Sequence, residues 1–183
     1  REAVEAVVST LAVLAREKGL ALTSRVAPDI AENLVGDEGR LRQVLTNLVG
    51  NAVKFTVKGR VEGSVCYAEA GTLGRSDAGT PEAEVGPLGE HPNIPASQPP
   101  GDSVKLCFTV SDTGIGIPPE HIGSIFDSFT QAARPTYGGA GLGLSISYGI
   151  VREHQGTVDV ESAPGRGTTF VLTFRSASQG DLA

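Results

Sequence analysis

Between Asp37 and Thr56 the apolar residues Leu41, Val44, Leu45, Leu48, Ala52 and Phe55 recur at spacings of three and four, the period that gathers side chains on one face of an α-helix. Such a stripe folds only against a second apolar layer, and the rest of the chain supplies one. "LALTSRV" (Leu20 to Val26), "RVEGSVCYA" (Arg60 to Ala68), "VKLCFTVSD" (Val104 to Asp112), "GTVDVES" (Gly156 to Ser162) and "TTFVLTF" (Thr168 to Phe174) read as strands. Helical spacing recurs at Val4, Val7, Val8, Leu11, Leu14 and Ala15 and is closed by Gly19; two further helices are expected over Glu120–Phe126 and Leu142–Glu153. Asp37 is the expected N-cap of the central helix. Helices and strands interleave without the strict repeat of a parallel sheet. The expected architecture is therefore an α/β two-layer sandwich, one mixed sheet with helices on one face.

With 183 residues, 39% of them hydrophobic, the chain is sized for a single domain, expected to run over 1–183. Residues 69–102 break the pattern. Glu69 to Gly101 hold six glycines and six prolines, a composition that buries too little surface to offset chain entropy, so the stretch reads as a flexible insertion within a hairpin. A net charge of −6 without a Lys/Arg cluster argues against a nucleic-acid partner. No apolar run approaches the roughly 18 residues of a membrane span, so no direct membrane contact by this chain is expected. Cys66 and Cys107 lack the CxxC spacing of metal or redox motifs and read as reduced, buried thiols of a cytoplasmic protein. The chain opens at Arg1 inside a helical pattern, as a piece of a longer protein would.

The central helix has a second stripe. Gln43, Asn47, Asn51 and Lys54 follow one another at four, four and three and share the face opposite the apolar one. Asparagine is a poor helix former, so a plain solvated face would more often carry Glu or Lys. An amide can ligate Mg²⁺ through its oxygen while its nitrogen donates to phosphate, and Lys54 adds a point charge suited to the same polyanion. "SDTGIGIP" (Ser111 to Pro118) follows a strand and sets Asp112 at its tip, with Gly114 and Gly116 allowing backbone to approach a flat ligand. A carboxylate only accepts hydrogen bonds, which selects an exocyclic amine over a carbonyl, as adenine is distinguished from guanine. "YGGAGLGLSIS" (Tyr137 to Ser147) is glycine-rich and opens into a helix, an arrangement whose free N–H groups suit phosphate. Neither glycine run continues as GxGxxG and no GK[ST] is present, which removes the dinucleotide and P-loop folds.

Five segments in this order resemble the catalytic and ATP-binding domain of two-component sensor histidine kinases, in the GHKL superfamily. "GDEGRLRQVLTNLVGNAVKFT" is similar to the N box, "DTGIGIP" to the first glycine box, "IFDSFTQ" to the F box, "GGAGLGLSIS" to the second glycine box and "GRGTTF" to the last glycine motif. The "DEGRLRQ" form and the place of the insertion are most similar to hybrid-type kinases. The resemblance implies the Bergerat fold, with a mostly antiparallel sheet, and binding of ATP with Mg²⁺. It implies that Asn51 coordinates the metal, that Asn47 lines the same site and that Lys54 contacts phosphate. Asp112 would bind the adenine amino group in a pocket shaped by Gly114, Gly116 and Ile117, with Thr168 or Thr169 near the base. Gly139, Gly141 and Gly143 would sit at the hinge of the ATP lid, with Leu142 and Leu144 among the nucleotide-binding residues beside them, Phe126 and Phe129 would pack the lid on the body, and Arg134 would supply a basic group there.

The related ATPases carry a glutamate where this chain has Asn47. An amide is no general base at neutral pH, so the resemblance favours a kinase that presents the γ-phosphoryl group to a histidine over an efficient ATPase. His91, His121 and His154 stand outside any family-like phosphoacceptor helix. The acceptor is thus expected on a dimerisation domain outside this chain, with a response-regulator receiver domain as a further partner and a homodimer as the full-length state. Ala140 replaces a usual threonine in the second glycine box, and Pro135 and Thr136 stand where a basic residue is common. These departures keep a non-catalytic ATP-binding regulatory module as the alternative.

Overall fold

The computed structural model describes residues 1–30, 36–68, 103–127 and 142–177. The expected insertion at 69–102 lies outside the described residues, as do Phe129, Arg134, Gly139 and Gly141. In chain order the elements are α1 (Glu2–Glu17), β1 (Ala21–Val26), α2 (Glu38–Phe55), β2 (Arg60–Tyr67), β3 (Ser103–Asp112), α3 (Pro119–Ile122), α4 (Gly143–Glu153), β4 (Thr157–Ala163) and β5 (Gly167–Ala177). The strands form one five-stranded sheet in the order β1-β2-β3-β5-β4. β1 and β2 run parallel, joined through α2, and the other three pairs are antiparallel. The sheet is therefore mixed and mostly antiparallel, as expected.

Side-chain alternation sorts the sheet into two faces. Val61, Val65, Tyr67, Leu106, Phe108, Val110, Phe170, Leu172 and Phe174 are buried in one core with Val7, Leu11 and Ala15 of α1, Val44, Leu45, Leu48, Val49, Ala52 and Val53 of α2, and Ile150 and Val151 of α4. Of the intervening strand positions, Thr23, Glu62, Lys105, Asp159 and Glu161 are polar and face away from the helices, on the face that also carries Cys66, Cys107 and Val171. Leu14, expected on the buried stripe of α1, is instead 51% exposed. Ala3, Val7, Leu11 and Ala15, four residues apart, form the buried line, and Leu14 falls outside it.

Local signals account for the element ends. Asp37 caps α2, its Oδ1 accepting from Arg40 N at 2.9 Å. At the end of α1, Gly19 takes φ +68°, with Leu20 N donating to Ala15 O and Gly19 N to Arg16 O, both at 2.9 Å; this is a Schellman closure, open to glycine because it lacks Cβ. Lys18, just before it, turns to another helix. Its ammonium donates to Val53 O (2.8 Å), Lys54 O (2.7 Å) and Thr56 O (3.3 Å), capping the C-terminus of α2 with a cation. The helix expected over 120–126 is only the single turn α3, followed by three-residue turns from Ser124 N to His121 O and Asp127 N to Ser124 O, both 3.0 Å. Prolines open that segment and Gly123 follows the turn, so local backbone preference opposes a longer helix.

Candidate functional site

On the polar stripe of α2, Gln43 is exposed, whereas Asn47 is turned onto α4. Asn47 Nδ2 donates to Ser147 Oγ at 2.9 Å, and Ser147 is buried, 4% exposed. Asn47 Oδ1 lies on the backbone of Gly143, where any Cβ would come within 2.0 Å of it. Asn47, Gly143 and Ser147 thus clasp α2 to the first two turns of α4, the helix that the glycine run opens. Asn51, one turn on, is half-buried and flanks the buried Ala52 and Val53. Lys54 is half-buried with its Nζ 4.9 Å from the Phe55 ring centroid.

The second part of the site begins where β3 ends. Asp112 is half-buried, and its Oδ1 accepts from Gly114 N at 2.8 Å. Burial pushes its carboxyl above the ordinary value of 3.8, while backbone N–H groups of Gly114 and Thr168 pull the other way. The loop then seats on the end of α2, Ile115 N donating to Phe55 O at 3.3 Å. Gly114 cannot carry a side chain there, since a Cβ would meet Phe55 O at 2.6 Å and the Asp112 carboxylate at 2.8 Å. Gly116 takes φ +69° and packs on the β4–β5 turn, where a Cβ would stand 1.9 Å from Ala163 O. The carboxylate of Asp112 and the end of the asparagine helix are thereby held to one another through a few backbone contacts.

Ser162 ties the loop to β5. Its Oγ accepts from Ile117 N at 2.8 Å, donates to Gly167 O at 2.9 Å and lies 2.9 Å from Thr168 Oγ1, which engages the hydroxyl as donor and as twofold acceptor. Thr168 is the register partner of Asp112 and shares its face of the sheet. Thr169 points to the other face, where its hydroxyl is 2.9 Å from Ser111 Oγ. Leu142 stands at the N-cap of α4, and Leu144 is half-buried against the core. Phe126 packs on Tyr148 of α4 (ring centroids 5.1 Å) and on Phe170 of β5 (6.5 Å).

Three contributors gave no sign of their role in the linear pattern: Ser147, the last residue of the second glycine run, Ser162, a small hydroxyl without motif spacing, and Lys18, which reads as part of its own helix end. Of the histidines, His154 is half-buried, its Nδ1 2.8 Å from Ile150 O and its ring 6.2 Å from that of Phe174. It serves the end of α4. His121 lies in α3, and His91 lies outside the described residues.

The Asn47–Ser147 clasp allows a direct check. Ser147→Ala leaves the Asn47 amide without its buried partner, at a cost of about 1 kcal/mol in stability. If the clasp also sets the entrance of α4 for a ligand, nucleotide affinity falls about threefold to fivefold in the same variant; calorimetry beside thermal denaturation separates the two effects, and an unchanged affinity leaves the clasp a purely structural contact.

Residues 36–178 match the family described as histidine kinase-, DNA gyrase B- and HSP90-like ATPase, and the chain belongs to that family. Among curated relatives, Histidine kinase 2 of Arabidopsis thaliana is 37% identical over 90% of this chain and 16% of its own length. Hybrid signal transduction histidine kinase A of Dictyostelium discoideum is 35% identical over 92% of this chain and 7% of its own, and the histidine-protein kinase BarA of Escherichia coli is 34% identical over 93% and 16%. The chain thus spans under a fifth of the length of these relatives. The crystal structure of full-length ShkA in complex with AMPPNP superposes with a TM-score of 0.71 at 29% identity, covering 97% of this chain and 30% of that one. The nucleotide-free catalytic domain of the histidine kinase ThkA superposes at 0.60 with 21% identity, a likeness of fold, covering 97% of this chain and 94% of that one.

Proposed function

We propose that this chain binds Mg·ATP between α2 and the loop that follows β3, and presents the γ-phosphoryl group to a histidine on a dimerisation domain outside the chain, in two-component signal transduction. The observation that supports the reading is the seating of the Asp112–Ile117 loop on the C-terminal end of the asparagine helix, through Ile115 N and Phe55 O. Asp112 accepts from the adenine amino group, Gly114, Gly116 and Ile117 form the wall beside it, and Thr168, on the same face, completes that wall. Lys54 contributes charge to the phosphates. Leu142 to Leu144 bring the N-terminus of α4 to the phosphate end, where free N–H groups favour anions. Phe126 holds the segment before the lid against α4.

The donor set fits a metal that arrives with the nucleotide. Among the described residues no group of three or more His, Cys, Asp or Glu side chains could hold an ion, and Asn51 offers one neutral oxygen; Mg²⁺ commonly takes one or two protein ligands and fills the remaining positions with phosphates and water. When bound, the ion supplies charge neutralisation to the phosphates. The Asn47 amide, engaged with Ser147, supplies no base for water. That supports transfer over hydrolysis.

A receiver domain and a second copy of the full-length protein are the further partners of this reading, and the cytoplasm is its location. No helix among the described residues is long and apolar enough to cross a membrane. The test is incubation of the chain with Mg²⁺, γ-labelled ATP and a histidine-bearing dimerisation domain. Acid-labile, base-stable label on the histidine is expected, and ATP bound without any transfer would reduce the chain to a regulatory nucleotide module. In the same preparation chelation of Mg²⁺ should weaken ATP binding by about tenfold, and Asn51→Ala should abolish that dependence on the metal; a wild-type dependence in the variant would remove Asn51 from the metal.

A further inference from the structure

We propose that Cys66 and Cys107 form an oxidisable dithiol, a modification site at which hydroperoxides convert the β2–β3 strand pair into a covalently closed hairpin. The two residues are direct register partners on antiparallel strands, and neither is in a disulfide. Register partners of an antiparallel pair hold their Cα atoms about 4.5 or 5.5 Å apart, according to the hydrogen-bonding pattern. Both values fall in the window of about 4.4 to 6.8 Å that a disulfide spans. Alternation puts both side chains on the face of the sheet turned away from the helices, because Val65, Tyr67, Leu106 and Phe108 on either side point into the core. The Cys66 thiol is near enough to pull the Cys107 thiol down against the effect of burial, in keeping with the register that sets the two residues opposite one another.

Unequal exposure assigns the two roles. Cys66 is half-buried and meets solvent; Cys107 is 6% exposed, and burial pushes its thiol above the ordinary value of 9.0. The Cys66 thiolate attacks a peroxide oxygen, the O–O bond breaks, and Cys66 becomes a sulfenic acid as hydroxide leaves. The Cys107 sulfur then attacks the Cys66 sulfur; the S–S bond forms, the S–O bond breaks, and the hydroxyl departs with the Cys107 proton as water. Two thiols and one hydrogen peroxide yield one disulfide and two waters. A buried thiol is a slow nucleophile towards outside reagents, but here the second step is intramolecular between neighbours, where effective concentrations are very high. The product closes a loop of about 40 residues, long enough to stabilise the fold measurably.

The inference is independent of any nucleotide and is tested on the chain alone. After treatment with hydrogen peroxide, denaturation and alkylation with N-ethylmaleimide, intact mass should show loss of two hydrogens and no alkyl group. Peptide mapping should join Cys66 to Cys107 within one molecule, dithiothreitol should restore two alkylation sites, and the oxidised form should melt about 5 °C higher. Cys107→Ser should stop the reaction at a sulfenic acid on residue 66 that dimedone traps, with no rise in melting temperature. Cys66 advancing to sulfinic acid while Cys107 remains alkylatable, or cross-links only between molecules, would overturn the proposal.

Discussion

Asp112→Asn is expected to weaken ATP binding by about 10- to 100-fold while leaving the unliganded fold as stable as before or more so. A hydrogen bond to an ionised group is worth about 1.5 to 3 kcal/mol, which converts to that range in affinity. The fold pays in the other direction, because Asp112 sits where burial raises its carboxyl above 3.8. Between that unfolded value and the raised folded value the native state holds a proton the unfolded chain has released, so stability falls as pH rises through that window. Asparagine keeps an oxygen for Gly114 N and carries no charge to desolvate. Affinity has the opposite sign: the ionised form is the better acceptor, so ATP binding weakens as pH falls towards the raised value, and this dependence should disappear in the variant. Calorimetry at several pH values, paired with thermal denaturation, reads both. Equal affinities of the two proteins for ATP would remove Asp112 from the base pocket.

Gly116→Ala should lower stability by about 3 kcal/mol or more and abolish measurable nucleotide binding. Gly116 has φ +69°, and a Cβ there would lie 1.9 Å from Ala163 O and 2.6 Å from its carbonyl carbon. Those atoms belong to the β4–β5 turn and cannot rotate aside. Movement of the loop would also pull Ile117 N from Ser162 and, through Ser162, disturb Gly167 and Thr168. Gly165 is the control: φ is +74°, yet a Cβ there meets nothing within 4 Å, so Gly165→Ala costs only the left-handed backbone, about 1 to 2 kcal/mol. Denaturant titrations of the two variants separate strain from collision. Equal losses would mean that the loop has room to relax.

Much of this molecule was legible in the linear chain because its signals are local. Asp37 caps α2 through an amide three residues on, Gly19 closes α1 through its own backbone, and the period-two runs from Arg60 and Val104 are paired strands. α3 is shorter than the expected helix over 120–126. Apolar residues at Ile122, Ile125 and Phe126 mimic helical spacing, but the side chains that reach the core do so from successive turns. His154 holds a specific bond at the end of α4 that its place in the sequence does not announce.

What the amino-acid order determined by itself is the inventory: which stretches are helices and strands, that two asparagines share one face of a helix while an aspartate stands at a strand end, and that glycine recurs in the runs that follow. What only the tertiary structure decided is what those glycines come close to and what the polar groups touch. Gly143 lies on Asn47, Gly116 on Ala163, Gly167 on Asp112, and the Asn47 amide is spent on Ser147, a hundred residues away. The physical reason is range. Backbone preference and side-chain period act over a few residues and can be read along the chain, whereas close approach and hydrogen-bond partnership depend on how a helix settles on a sheet, which no run of neighbours encodes.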